Sequence, residues 1–161
     1  MFNSPTMLLE FTKGMELQFI KKPLKLGGPV WSIVAHSKAS KNFSHFKPQE
    51  RGFLSEEIAI QFFHRNSSWI LSSWRKKMFN IEVDLVFKKR EGEVLAVEVK
   101  SLSSSLADFP RLSLNQIHRL RRAQEAFEID APHSFSFAVC FVSYENCFPQ
   151  DIWFRPLSDF F

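Results

Sequence analysis

The sequence predicts an α/β fold, a central mixed β-sheet flanked by helices, and three observations predict it. Leu54, Ile58 and Phe62 recur at helical spacing, with Ala59 and Phe63 widening the stripe. The segments Ile81–Phe87 and Leu95–Lys100 alternate apolar and polar residues with the period of two that marks a strand. A second helical stripe, Ile117, Leu120, Ala123 and Phe127, then precedes another alternating run, Phe135, Phe137, Val139 and Phe141. The order is helix, two or three strands, helix, one or two strands. That is α/β or α+β, with a helix connecting strands of one sheet.

Taken from the N-terminus, residues 1 to about 48 read as an extension and residues 49–161 as the main domain. Within the extension, Leu17–Ile20 and Val30–Val34 suit a small hairpin around Gly27-Gly28-Pro29. His36 to Lys47 is polar, basic and Ser-rich, the composition of a linker. Ser55, Glu56 and Glu57 are expected near the start of the first helix, where acids suit the helix dipole. Trp69-Ile70-Leu71 and Trp74 suggest a strand or its approach. Lys88 to Glu93, with Gly92, suits a hairpin turn between the two acid-bearing strands. A Ser-rich loop is expected from Ser101 to Ser105, then Asp108-Phe109-Pro110, with the second helix starting near Ser113. Ile152-Trp153-Phe154 suits a last strand.

A chain of 161 residues fits one core, and its 19 Phe are expected to fill it. The formal net charge of +4 mildly favours an anionic partner. Its distribution says more: Arg111, Arg119, Arg121 and Arg122 lie in a stretch with no acid. The clusters Arg75-Lys76-Lys77 and Lys88-Lys89-Arg90 read as exposed turn charges. Cys140 and Cys147 form neither a disulfide framework nor a zinc pattern, and Cys140 reads as a buried thiol. A reducing, cytoplasmic setting with no membrane segment follows: Glu10, Lys13 and Glu16 interrupt any apolar leader, and the run from Ala131 to Tyr144 is too short to span.

The chemistry concentrates in two strands. Asp84 lies in Ile81-Glu82-Val83-Asp84-Leu85-Val86-Phe87, and Glu98 and Lys100 lie in Val97-Glu98-Val99-Lys100. If the apolar faces pack into the core, the acids share the opposite face. Two registers satisfy that pattern. One sets Asp84 opposite Glu98. At roughly 5 Å and an effective dielectric of about 20, the repulsion is on the order of 3 kcal/mol. A divalent ion would turn it into a ligand set, and Lys100 would then stabilise the charge of an attacked phosphate. The other register sets Asp84 opposite Lys100 and leaves ordinary cross-strand ion pairs.

Asp84 followed by Glu98-Val99-Lys100 resembles the motif of the PD-(D/E)XK nuclease superfamily, the restriction-endonuclease-like fold. The wider context resembles the YraN-type family of bacterial proteins, related to archaeal Holliday-junction resolvases. Gly52-Phe53-Leu54-Ser55-Glu56-Glu57-Ile58-Ala59 is similar to that family's first-helix motif. Ile70-Leu71 with Trp74-Arg75, Glu82-Val83-Asp84-Leu85-Val86, Val97-Glu98-Val99-Lys100 and Gln116 to Leu120 are similar to its later segments, over about residues 50 to 143. The departures are Ser55 and Ile81 where the family has Gly, Leu102 where it has a basic residue, and Gln116 where it often has Lys.

The resemblance implies a Mg²⁺- or Mn²⁺-dependent endonuclease acting on DNA, branched or single-stranded. Asp84, Glu98 and the Val99 carbonyl would hold the metal and Lys100 would be the catalytic lysine. Glu56 would approach from the first helix and Gln116 from the second. From the basic stretch and the one-turn spacing of Arg119 and Arg122, Arg111, Arg119 and Arg122 are expected to bind the nucleic acid, DNA ahead of RNA, and a homodimer is expected from the junction-cutting relatives. The competing readings are a catalytically inactive nuclease-fold module that binds nucleic acid or protein, and an RNA-directed nuclease. On residues alone, Glu56 and Glu57 read as solvated helix-start acids, Gln116 as an edge polar residue, and Arg119 and Arg122 as a helix's solvated face.

Overall fold

The computed structural model describes residues 17–23, 29–35, 47, 50–78, 81–103, 112–130 and 134–160. The expected linker from His36, the Gly27-Gly28 turn, the loop from Ser104 to Pro110 and Arg111 lie outside these residues. The described chain runs β1 (Leu17–Lys21), β2 (Val30–Ala35), α1 (Arg51–Asn66), β3 (Ile70–Met78), β4 (Ile81–Lys88), β5 (Val94–Leu102), α2 (Leu114–Asp130), β6 (Phe135–Glu145), β7 (Phe148–Pro156) and a 3₁₀ turn (Leu157–Phe160). The seven strands form one sheet in the order β1-β2-β7-β6-β5-β4-β3. β5 and β6 pair in parallel and every other pair is antiparallel, so the expected α/β class with a central mixed sheet is what the chain adopts. No helix of the described residues is long and apolar enough to cross a membrane.

The parallel pair explains much of the architecture. Joining parallel neighbours takes a crossover, and α2 supplies it. A strand beside such a crossover is covered on both faces and reads as a continuous apolar run, as Val94 to Val97 does. The α1 side of the sheet holds Leu54, Ile58, Phe62 and Phe63 packed with Leu85, Phe87, Leu95, Val97, Cys140 and Val142. The α2 side holds Leu120, Ala123 and Phe127 packed with Ile81, Val83, Val86, Ala96, Phe137, Val139 and Phe141. The expectation of one apolar face and one acidic face is therefore corrected: both faces are buried, and Asp84 and Glu98 lie mid-strand, just past the paired stretch of β4 and β5. The expected hairpin β1–β2 forms, and β2 joins the sheet through β7, with Val30 opposite Trp153.

Helix ends follow local chemistry. α1 begins at Arg51, five residues before Glu56, so neither Glu56 nor Glu57 sits in its first turn. Their solvated reading is corrected: Glu56 is 4% and Glu57 0% exposed. α2 opens with a reciprocal capping box. Gln116 N–H donates to Ser113 Oγ at 3.2 Å, and Ser113 N–H donates to Gln116 Oε1 at 3.0 Å. The turn after β4 closes as expected, with Lys89 N–H donating to the Glu93 carbonyl and Gly92 at φ 89°. β5 runs through Leu102, so Ser101 belongs to the strand and not to the loop expected from it. Ser113→Ala should lower stability by about 1 kcal/mol; a urea midpoint equal to that of the parent chain would show that the box contributes nothing.

Candidate functional site

The site begins where two ladders fail. β4 and β5 pair from Lys88↔Val94 to Leu85↔Val97, the register that, continued by one step, sets Asp84 opposite Glu98. The alternative register, with Asp84 opposite Lys100, is absent. Beyond Leu85 the Asp84 side chain takes over: its Oδ2 accepts the Val99 N–H at 2.8 Å. On the other flank, β3 and β4 pair at Trp74↔Leu85 and at Lys76↔Val83, leaving Arg75 and Asp84 unpaired between them. Alternation slips at the same place, since Val83 packs on the α2 side and Leu85 on the α1 side. Local ladder disruptions of this kind re-aim side chains. Arg75 adopts φ 56°, a left-handed conformation rare for a side-chain-bearing residue.

Three carboxyl groups converge where the β4–β5 pairing stops. Glu56 reaches it from α1, Asp84 from β4 and Glu98 from β5. Glu56 Oε2 accepts Trp74 Nε1–H at 2.8 Å, and Arg75 donates to both Glu56 oxygens at 3.2–3.3 Å. The Arg75 guanidinium also lies 4.0 Å from the Phe53 ring centroid, so an aromatic face and a carboxylate clamp it. Glu98, only 3% exposed, takes Arg119 Nη2 at 2.7 Å and Lys100 Nζ at 3.3 Å, both on Oε1. Arg119 Nη1 also donates to the Glu82 carbonyl at 3.4 Å. Glu98 Oε2 is buried and has no hydrogen-bond partner among the described residues.

The outer acids thus each hold an arginine, and Asp84 sits between them. Burial first, then the negative charges of Glu98 and Glu56, push the Asp84 carboxyl up to about 8, against the Val99 N–H and Lys100. Burial also raises Glu56, opposed by Trp74 and Arg75 and by a hydrogen bond with Asp84. Among the described residues no three His, Cys, Asp or Glu side chains are grouped closely enough to hold a metal ion. A ligand set here would therefore rest on two carboxylates and backbone oxygen, with Glu56 kept back by Trp74 and Arg75.

Of the residues expected from the sequence, Glu56, Asp84, Glu98, Lys100 and the Val99 backbone come together. Arg119 joins them as the partner of Glu98, where a phosphate grip was expected. Gln116 gives its amide oxygen to the α2 cap, accepting the Ser113 N–H. Arg122 is solvent-exposed, and Arg111 lies outside the described residues. Arg75 is corrected from a turn charge to a strand residue that neutralises Glu56. Sequence reasoning missed that role for Arg75 and its neighbour Trp74, whose one signal was their place in the segment that resembles the resolvase relatives.

No protein-family model matches the chain, and no curated protein matches it. Among solved structures, the chain is similar to EndoMS in a complex with dsDNA, at 12% identity and a TM-score of 0.39, over 77% of this chain and 54% of that one. The chain thus spans about half the length of that protein. It is also similar to SfsA of Pyrococcus furiosus in complex with Ca²⁺, at 10% identity and a TM-score of 0.35, over 84% and 74% of the two chains. A third similarity is to cap-snatching endonucleases of phenuiviridae, at 13% identity and a TM-score of 0.28, over 86% and 77%. Scores and identities this low bring no activity to this chain.

The raised Asp84 carboxyl has a pH signature. From its ordinary 3.8 up to about 8, the folded protein keeps a proton that the unfolded chain gives up, so Asp84 costs stability as pH rises through that window. Asp84→Asn, measured by denaturant unfolding in chelator, should remove this part of the slope. It should be more stable than the parent above about pH 8 by on the order of 1 kcal/mol or more. Curves that run parallel from about pH 5 to 9 would place the Asp84 carboxyl in the ordinary range.

Proposed function

We propose that this protein is a divalent-metal phosphodiesterase that cuts nucleic acid, with DNA as the substrate. The observation that carries the reading is the Glu98 carboxylate. One of its oxygens takes two cations, and the other is buried with no donor, next to an aspartate whose carboxyl Glu98 itself destabilises. A buried oxygen left without a partner costs about 1–3 kcal/mol. Hard divalent cations take carboxylate and carbonyl oxygens, so the donor set fits Mg²⁺ or Mn²⁺. Asp84, Glu98 and the Val99 carbonyl would hold the ion, which when bound supplies Lewis acidity toward the phosphodiester.

The chain's own groups have separable tasks in this reading. Lys100, which is 25% exposed, presents an ammonium at the mouth of the site, suited to the charge that builds on an attacked phosphate. Glu56, fixed by Trp74 and Arg75, holds Asp84 by a hydrogen bond and by repulsion on one side. The exposed Arg122, with Arg111 ahead of the helix, would meet backbone phosphates, contacts that position a strand without reading its sequence.

One observation favours the rival module that binds without cutting: Arg75, Lys100 and Arg119 already neutralise two of the three acids. Cleavage assays with Mn²⁺ on duplex, branched and single-stranded DNA, and on RNA, separate the readings. Cutting should fall at least roughly 100-fold in Asp84→Ala and Glu98→Ala, since even outer partners of a metal are worth 10–100-fold. Cutting that survives both substitutions would put the activity elsewhere. An inert parent chain on every substrate would favour the rival, and RNA cut in preference to DNA would reassign the substrate.

A further inference from the structure

Arg119 has an unusual position for a helix-surface arginine. Its neighbour Leu120 is 0% exposed and anchors α2 in the core, which sets Arg119 over β4, where its side chain meets the Glu82 carbonyl. From there its side chain, still 39% exposed, reaches inward to a Glu98 side chain that is only 4% exposed. The 2.7 Å bond to Oε1 is short for an ion pair, while the second tether, to the Glu82 carbonyl, is long at 3.4 Å. Arg119 thus has one strong attachment, one weak one and open solvent behind it.

We propose that Arg119 is a stand-in cation: it neutralises Glu98 in the metal-free protein and leaves that carboxylate when a divalent ion enters. The inference rests on the metal reading above. A buried carboxylate beside two others needs a counter-charge for the chain to fold without metal. Arginine suits that duty because it stays charged, is weakly hydrated and carries several donors. A divalent ion on the same carboxylate repels the guanidinium, and the exposed side of Arg119 gives it somewhere to go. Lys100 stays, since it shares strand β5 with Glu98, makes the longer contact of the two at 3.3 Å and is the less exposed, 25% against 39% for Arg119.

Calorimetric titration of the full chain with Mn²⁺ tests the idea, using the parent, R119M and R119K. R119M keeps the aliphatic stem and loses the charge, and it should bind Mn²⁺ about tenfold more tightly. It should also melt lower than the parent in chelator, with the gap closing at saturating Mn²⁺. R119K keeps the charge and should stay within about threefold of the parent. Mn²⁺ affinity in R119M equal to or weaker than in the parent would overturn the stand-in and leave the metal site intact. No Mn²⁺ uptake by any of the three folded chains would overturn both the stand-in and the metal reading.

A second measurement needs no destabilising change. Guanidinium NMR of the parent chain should show, besides the clamped Arg75, a hindered arginine signal that is missing from R119K and becomes freely rotating when Mg²⁺ is added. A guanidinium that stays locked at saturating Mg²⁺ would overturn the proposal even if R119M does not fold.

Discussion

The bond from Val99 N–H to Asp84 Oδ2 is the joint on which the site depends. It sits where the β4–β5 ladder ends, and it replaces a missing backbone acceptor with a side chain. Buried backbone donors are almost always paired, so the strands can separate here only because Asp84 fills the gap. Separation opens the space into which Glu98 and Lys100 project. The same bond holds a carboxyl among two others, a place it would not otherwise occupy. One aspartate thus serves as sheet connector and as the centre of the acidic cluster.

Charge balance sets the surroundings. Glu56 is held by Trp74 and Arg75, and Glu98 by Lys100 and Arg119. Those partners come from three elements: β3 contributes Trp74 and Arg75, β5 contributes Lys100 and α2 contributes Arg119. Asp84 has only a backbone amide and the more distant Lys100 on its side, which is why its proton is held so firmly. The left-handed Arg75 belongs to the same economy of charge: its backbone leaves the ladder at the residue facing Asp84, and its guanidinium turns to Glu56 between the acid and the Phe53 ring. Strain of about 1–3 kcal/mol is typical of such conformations and persists where surrounding contacts over-determine them.

Much of this was legible in the sequence because periodicity reports burial. The stripe at Leu54, Ile58 and Phe62, the alternation through Phe137, Val139 and Phe141, and the Gly92 turn each correspond to an element observed. The pairing of Asp84 with Glu98 and Lys100 was legible as chemistry, since acids in apolar strands need a reason. Arg75 was not, because its role depends on a backbone dihedral that no pattern of residue types reveals. Glu57 looked solvated because a charge in a helix usually is, yet α1 is buried without a break from Leu54 to Phe63 and Glu57 with it. Gln116 illustrates a competition between local and tertiary use of one side chain: Ser113 is three residues away and captures the amide before the acids can. Reading the S-x-x-Q spacing as a capping box would have found this.

Ion pairs and a metal centre can grow from one arrangement of acids, and the difference lies in how completely the lone pairs are used. An inert network should satisfy every buried oxygen, because each orphan costs as much as a good bond contributes. Glu56 meets that standard, with both oxygens taken. Glu98 does not. Lys100 and Arg119 crowd one oxygen, and the other is enclosed without a donor. Serving that second oxygen would take a further donor, and a third cation on one buried carboxylate would over-neutralise it unless one of the first two withdrew. Arg119 is the more exposed of the two, 39% against 25% for Lys100, so the geometry that leaves Glu98 unfinished also supplies the group better able to move aside.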